Sequence, residues 1–173
     1  YGQLKGLRFA ALRYFNAAGY DSEGRIRGLE KNPANLLPVV METAAGVRRE
    51  MEVFGDDYKT ADGTGVRDYI HVTDLAAAHV HALEHLDENS SLTVNLATGE
   101  SFSVLDVINK AKNITGEAIA YRVVDRRPGD PDELIATSKR AADLLGWKPN
   151  HSNLETILET MWGVYKPEEK LFS

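Results

Sequence analysis

Phe9-Ala10-Ala11-Leu12-Arg13-Tyr14-Phe15 is a short, nearly continuous apolar run that ends in Asn16 and Gly19. That is the pattern of a strand buried on both faces, and such strands belong to parallel sheets. Parallel strands need crossovers of a dozen or more residues, and the sequence downstream supplies them. After a loop of Asp, Ser, Gly, Arg, Lys, Asn and Pro from Tyr20 to Ala34, a helix is expected from Asn35 as N-cap, with Leu37, Val40, Met41 and Ala44 on one face before Gly46. Met51-Glu52-Val53-Phe54 alternates like a short strand, and an Ala-rich helix is expected from Leu75 to Leu86 with Thr73 or Asp74 as its N-cap. Thr93 to Ala97 reads as a buried strand. Ser103-Val104-Leu105-Asp106 opens a helix with a capping-box pattern, closed at Gly116. Ile119 to Val124 is strand-like; two further helices follow, from Ser138 to Leu145 and from Ser152, the latter with Leu154, Ile157, Leu158, Met161 and Tyr165 on one face. Strands alternating with helices make an α/β chain.

Composition narrows the function classes. The 173 residues are 43% apolar and 27% charged, an ordinary globular balance. With 20 Lys and Arg against 26 Asp and Glu the formal net charge is -6, which argues against wrapping nucleic acid or coating an anionic membrane. The absence of cysteine excludes disulfides, thiolate zinc sites and Cys nucleophiles. No apolar run approaches the roughly 18 residues of a membrane span, and the start has no signal-peptide anatomy, so a cytoplasmic location is the expectation. The chain opens on Tyr1 without an initiator Met, which points to a piece of something longer.

The only Gly-x-Gly is Gly63-Thr64-Gly65, with Asp68 where a third glycine is needed, and no Gly-Lys-Ser/Thr occurs. Neither the dinucleotide fingerprint nor a P-loop is present. Tyr1 and Lys5 have Tyr-x-x-x-Lys spacing, but no helix starting there fits before a strand at Phe9, so the pair reads as coincidence. His81 and His85 stand at i, i+4 without the Glu of a zinc-protease motif, and read as a solvated helix face with no metal. The sequons at Asn89, Asn113 and Asn150 mean nothing without secretion. Two arginine sites lie in turn-rich contexts: Arg67 within Asp62-Gly63-Thr64-Gly65-Val66-Arg67-Asp68-Tyr69, and Arg127 within Arg126-Arg127-Pro128-Gly129-Asp130. Two guanidinium forks meeting at one point make a receptor for a diphosphate. Surface pairing of Arg67 with Asp68 and of Arg127 with Asp130 accounts for the same residues equally well.

Several segments together resemble the UDP-glucose 4-epimerases, within the extended short-chain dehydrogenase/reductases. They are Leu12 to Asn16, Asn35-Leu36-Leu37-Pro38, Val53-Phe54-Gly55, Asp56-Asp57-Tyr58, the uninterrupted run Asp62 to Asp74, Asn95-Leu96, Ser103-Val104-Leu105 and Arg126 to Asp130. The run around Arg67 is the most family-specific. The resemblance extends from about Leu7 to Trp162 and covers the C-terminal half of the family's pattern. It implies the last part of an NAD-binding doubly wound, Rossmann-type fold in residues 1–19, followed in 20–173 mainly by the smaller α/β UDP-sugar domain, with strands returning to the sheet.

The site residues implied by the resemblance are these. Tyr14 lies near the nicotinamide; Phe15 and Asn16 end the sheet, with Asn16 on the UDP-sugar; Asn35 and Leu36 stand on the phosphate side. Glu52 and Phe54 belong to the uracil strand. Arg67 and Arg127 form the diphosphate pair, Asp130 accepts from the ribose, and Leu134 borders the hexose pocket, where a bulky aromatic restricts N-acetylated sugars. The implied chemistry interconverts UDP-glucose and UDP-galactose through NAD-dependent transient oxidation at C4. The resemblance further implies that no catalytic residue falls in this chain, that NAD is held mainly by the N-terminal half and that the parent is a homodimer, and the chain alone is expected to be inactive. Rivals are epimerases of UDP-GlcNAc or UDP-glucuronate, a related dehydratase, or a non-catalytic nucleotide-sugar binding module.

Overall fold

The computed structural model describes residues 5–88 and 90–167; Tyr1 and Asn89 lie outside the described residues. The chain alternates strands and helices as the patterning requires. In order these are β1 (Ala10–Arg13), β2 (Ala17–Ala18), α1 (Leu36–Ala44), β3 (Met51–Phe54), β4 (Val66–Arg67), β5 (Ile70–His71) and α2 (Val72–Glu88). There follow β6 (Leu92–Asn95), β7 (Phe102–Ser103), α3 (Val104–Thr115), β8 (Tyr121–Val124), β9 (Glu133–Leu134), α4 (Lys139–Leu145) and α5 (Leu154–Tyr165).

Parallel pairing dominates. β1 runs beside β6, β2 beside β5 and β3 beside β8, all parallel, while β4 lies between antiparallel β7 and parallel β9. Two cores form. One gathers α1, α3 and α5 over β3, with Val40, Met41, Val53, Ile108, Ile157 and Leu158 fully enclosed; the other packs α2 and α4 on β6 around Ala78, Val94 and Trp147. Each enclosed aliphatic side chain contributes about 1.5–3 kcal/mol over its exposed state.

Local signals set the helix ends. Ser103 Oγ accepts from the Asp106 N–H at 2.9 Å and Asp106 Oδ2 accepts from the Ser103 N–H at 3.0 Å, a complete capping box. Gly116 closes α3 in the left-handed region, φ 74°. Asn35 stands at the N-cap of α1 with extended backbone, but its side chain makes no capping bond.

Two expectations are corrected. β1 is only half-buried, and Leu7, Phe9, Tyr14 and Phe15 around it are exposed, because among the described residues β1 is paired along one edge only, with β6. Helix α2 begins at Val72 rather than Leu75, and Asp74 does not cap it. The Asp74 carboxylate, 2% exposed, turns inward and accepts from the Asn150 N–H at 3.1 Å, the His151 N–H at 2.9 Å and the Ser152 hydroxyl at 2.5 Å. Its backbone carbonyl accepts from the Trp147 indole at 2.9 Å. The connection between α4 and α5 is thus anchored on the first turn of α2.

Candidate functional site

A cleft of about 600 Å³ opens between the N-terminal end of α1, the β3–β8 pair and the loop before β9. Asn16, Asn35, Leu36 and Glu52 line it, as do Phe54, Arg67, Arg127 and Asp130. Eight side chains singled out from separate stretches of sequence therefore face one space.

The Asp56–Gly65 turn builds one wall. Gly63 has φ 79°, and a Cβ there would stand 2.1 Å from the Asp56 carbonyl oxygen, so only glycine lets the turn close. Closure lets the Tyr58 N–H donate to the Gly63 carbonyl at 2.9 Å. Asp62 accepts from the Thr64 N–H and hydroxyl at 2.9 and 2.8 Å and from the Ser103 hydroxyl at 2.5 Å, which joins the turn to the cap of α3. Burial opposes ionisation of Asp62, but the bonds from Ser103 and Thr64 prevail and hold its carboxyl below the ordinary range.

Arg67 leaves this turn on β4 with both terminal nitrogens of its guanidinium engaged. Its two terminal nitrogens donate to the Val66 carbonyl at 2.7 Å, the Asp132 carbonyl at 3.4 Å, the Pro131 carbonyl at 3.0 Å and Asp130 Oδ1 at 2.5 Å. A guanidinium has five donors, so Nε–H is left, and the side chain is 15% exposed. Neither simple surface pairing holds. Arg67 pairs with Asp130 rather than Asp68, because Asp68 is buried and accepts from the Ala136 N–H at 3.3 Å, burial raising its pKa. The second oxygen of Asp130 takes the Tyr58 hydroxyl at 3.3 Å. The Arg126 guanidinium lies 3.8 Å from the Tyr58 ring centroid and reaches Asp57 at 2.5 Å.

On the β3–β8 face, parallel register sets Glu52 beside Arg122, and the two form an ion pair; Arg122 also reaches Glu50 at 3.2 Å. Two residues along β3, the ring of Phe54 carries the Arg127 guanidinium 3.9 Å from its centroid. Asn16 is fixed at the rim by donating from Nδ2 to the Asp68 carbonyl at 2.8 Å. The cleft therefore joins an aromatic face, a cationic pair of unequal freedom and a carboxylate, a donor set suited to a base, a diphosphate and a polyol.

Three residues named from the sequence stand outside the lining. Tyr14 and Phe15 are exposed beyond the end of β1, and Leu134 lies on β9 in register with Arg67, its side chain half-buried. Tyr58, Tyr69 and Arg122 line the cleft and escaped sequence reasoning. Tyr58 offered one signal, a tyrosine inside an otherwise polar turn; Arg122 offered none, since its apposition to Glu52 depends on register. His81 Nδ1 lies 2.8 Å from the Leu145 carbonyl, and among the described residues no His, Cys, Asp and Glu cluster is arranged to hold a metal.

The sequence model of the NAD dependent epimerase/dehydratase family matches residues 1–97. The chain belongs to this family. Within it, the chain is 47% identical over 159 residues to a UDP-glucose 4-epimerase of Lacticaseibacillus casei, covering 91% of this chain and 48% of that protein. The solved UDP-glucose 4-epimerase of Brucella ovis in complex with NAD superposes with a TM-score of 0.91 at 44% identity, over 95% of this chain and 51% of that one. That of Bifidobacterium longum in complex with NAD+ and UDP gives 0.81 at 40% identity, over 90% and 46%. The chain spans about half the length of the curated relatives it matches. No helix among the described residues is long and apolar enough to cross a membrane.

Proposed function

We propose that the cleft is the UDP-sugar site of a UDP-glucose 4-epimerase, interconverting UDP-glucose and UDP-galactose, and that this chain supplies the substrate-binding portion. In this reading residues 1–19 close a nucleotide-fold sheet, and the rest forms mainly the sugar-nucleotide domain. The observation that carries the reading is the meeting of Phe54, Arg127, Arg67 and Asp130 in one cleft, although they come from three separate segments.

The roles follow from the donor set. Phe54 offers its face to the uracil, with Glu52 on the same strand. Arg127, whose side chain makes no ion pair among the described residues, supplies a mobile fork for the diphosphate, and Arg67 adds a fixed positive charge with Nε–H available. Asp130 accepts from the ribose hydroxyls, while Asn35 and Leu36 bring the start of α1 to the phosphate side and Asn16 faces the sugar. Affinity concentrated on the nucleotide anchors the reacting hexose without gripping it, as inversion at C4 requires.

Among the described residues no cradle matches the dinucleotide of this family. Gly63-Thr64-Gly65 is shaped by the approach of Asp56 to Gly63 and does not join a strand to a helix in the way a pyrophosphate-binding turn does. Tyr14, exposed at the end of β1, is the one residue assigned to the nicotinamide side. The chain's own contribution is thus to hold and orient the sugar nucleotide.

The test has two parts. The 173-residue chain should bind UDP and show no turnover of UDP-galactose. The complete protein that carries it should epimerise UDP-galactose in preference to UDP-GlcNAc and UDP-glucuronate. Turnover by the isolated chain, or a complete protein active only on another UDP-sugar, overturns the assignment.

A further inference from the structure

We propose that Tyr58 is a positioning residue of the cleft: its hydroxyl holds the Asp130 carboxylate so that one oxygen clamps Arg67 while the group still faces the ligand. This rests on the UDP reading of the cleft and gives a role to a residue that the reading leaves without one. Tyr58 is 4% exposed, and its hydroxyl donates to Asp130 Oδ2 at 3.3 Å, while Oδ1 takes Arg67 at 2.5 Å.

Tyr58 is held at its ring and at its backbone. The Arg126 guanidinium covers the ring at 3.8 Å and is itself held by Asp57 and Asp132, and the Tyr58 N–H is bound to Gly63. The hydroxyl is thereby aimed at a carboxylate that belongs to another loop. Burial, followed by the Asp130 charge, pushes the Tyr58 pKa up, so the phenol remains a donor at every ordinary pH. Without that donor Asp130 keeps only Arg67 and is free to rotate into a symmetric fork with it. Such a fork draws the carboxylate away from the ribose and occupies the Nε–H that Arg67 otherwise offers to the ligand.

The experiment is a double-mutant cycle in the complete protein, reading UDP affinity by calorimetry, the unfolding midpoint, and kcat and KM for UDP-galactose. Tyr58→Phe should weaken UDP about 3- to 10-fold, the worth of one hydrogen bond of ordinary strength, as suits a contact as long as 3.3 Å. It should raise KM with kcat nearly unchanged and leave the unfolding midpoint close to that of the parent. In an Asp130→Ala background the same change should cost nothing further, because the two residues act as one unit. Arg126→Met, which uncovers the ring without touching the hydroxyl, should move affinity in the same direction by a smaller factor. Additive losses from Tyr58→Phe and Asp130→Ala, or a lowered unfolding midpoint with UDP affinity intact, overturn the positioning role. Arg127→Ala reports on the site itself. Loss of UDP affinity there with none in Tyr58→Phe removes Tyr58 alone, and no loss in either variant removes the UDP reading as well.

Discussion

The guanidinium of Arg127 lies 3.9 Å from the centroid of the Phe54 ring, whereas that of Arg67 is locked by four hydrogen bonds to its own protein. Two arginines that look equivalent in sequence are thus unequal. One is a built-in charge; the other rests on an aromatic face and is free to exchange that contact for a ligand. A cation–π contact at a partly exposed site is worth about 0.5–1 kcal/mol, less than a bidentate bond to phosphate.

Arg127→Ala is accordingly expected to weaken UDP about 10- to 100-fold and uridine far less, because only UDP carries phosphates. Arg127→Lys should recover part of the loss, since a point charge replaces a planar fork. Calorimetric titration with both ligands checks this, and equal losses for UDP and uridine contradict it.

Gly63→Ala places a methyl carbon 2.1 Å from the Asp56 carbonyl oxygen at a residue with φ 79°. Backbone cannot yield as a flexible side chain does, so the turn must open at a cost of about 1–3 kcal/mol, taking Tyr58 with it. Urea unfolding should show the lowered midpoint, accompanied by weakened UDP binding.

Asp74 is buried, yet hydrogen bonds from Ser152, His151 and Asn150 outweigh the burial and hold its pKa below the ordinary carboxylate value. A depressed carboxylate stabilises the fold above its unfolded pKa of about 3.9. That contribution is lost as pH falls through the lower folded value, because the unfolded chain there binds the proton more readily. Asp74→Ala, which strands these donors, should cost about 2–4 kcal/mol at neutral pH and flatten the acid limb. Urea midpoints for both proteins, followed from neutral pH down through and below about 3.9, where the unfolded carboxylate titrates, measure the difference.

His71 is fully enclosed. The Thr73 N–H donates to Nδ1 at 3.1 Å, so Nε2 carries the proton and donates to Thr160 Oγ1 at 3.1 Å. Burial lowers the pKa of the ring, opposed by the Asp74 charge. Between that lowered value and roughly 6.5 the unfolded chain takes up a proton that the folded one refuses, so stability falls as the solution is acidified through this window. His71→Asn should lower stability throughout and remove this part of the slope in pH-dependent denaturation.

Much of the fold was legible locally. The Ser103–Asp106 capping box, the left-handed stop at Gly116 and the apolar faces of α1 and α5 all depend on residues within a few positions of one another, and each stands where the pattern put it. The alternation of strand and helix carried the α/β class, and eight of the proposed site residues lie in one cleft. What escaped were contacts set by register and long-range closure. Asp74 looks like a helix cap in sequence, but its bond to Ser152 spans 78 residues. Arg67 seems to belong to Asp68, yet finds Asp130 across 63.

Composition and spacing alone therefore settled the class of fold and the absence of thiol chemistry in this chain, because propensity, capping and turn closure act over a few neighbouring residues; the segments proposed to carry the site were singled out by family resemblance, which composition and spacing did not supply. Which arginine is clamped and which is free, that Tyr58 stands behind Asp130, and that Asp74 ties one helix to the approach of another were settled only when the strands took their register. Parallel pairing and loop packing then brought residues many tens apart within hydrogen-bond distance, and no local preference encodes that proximity.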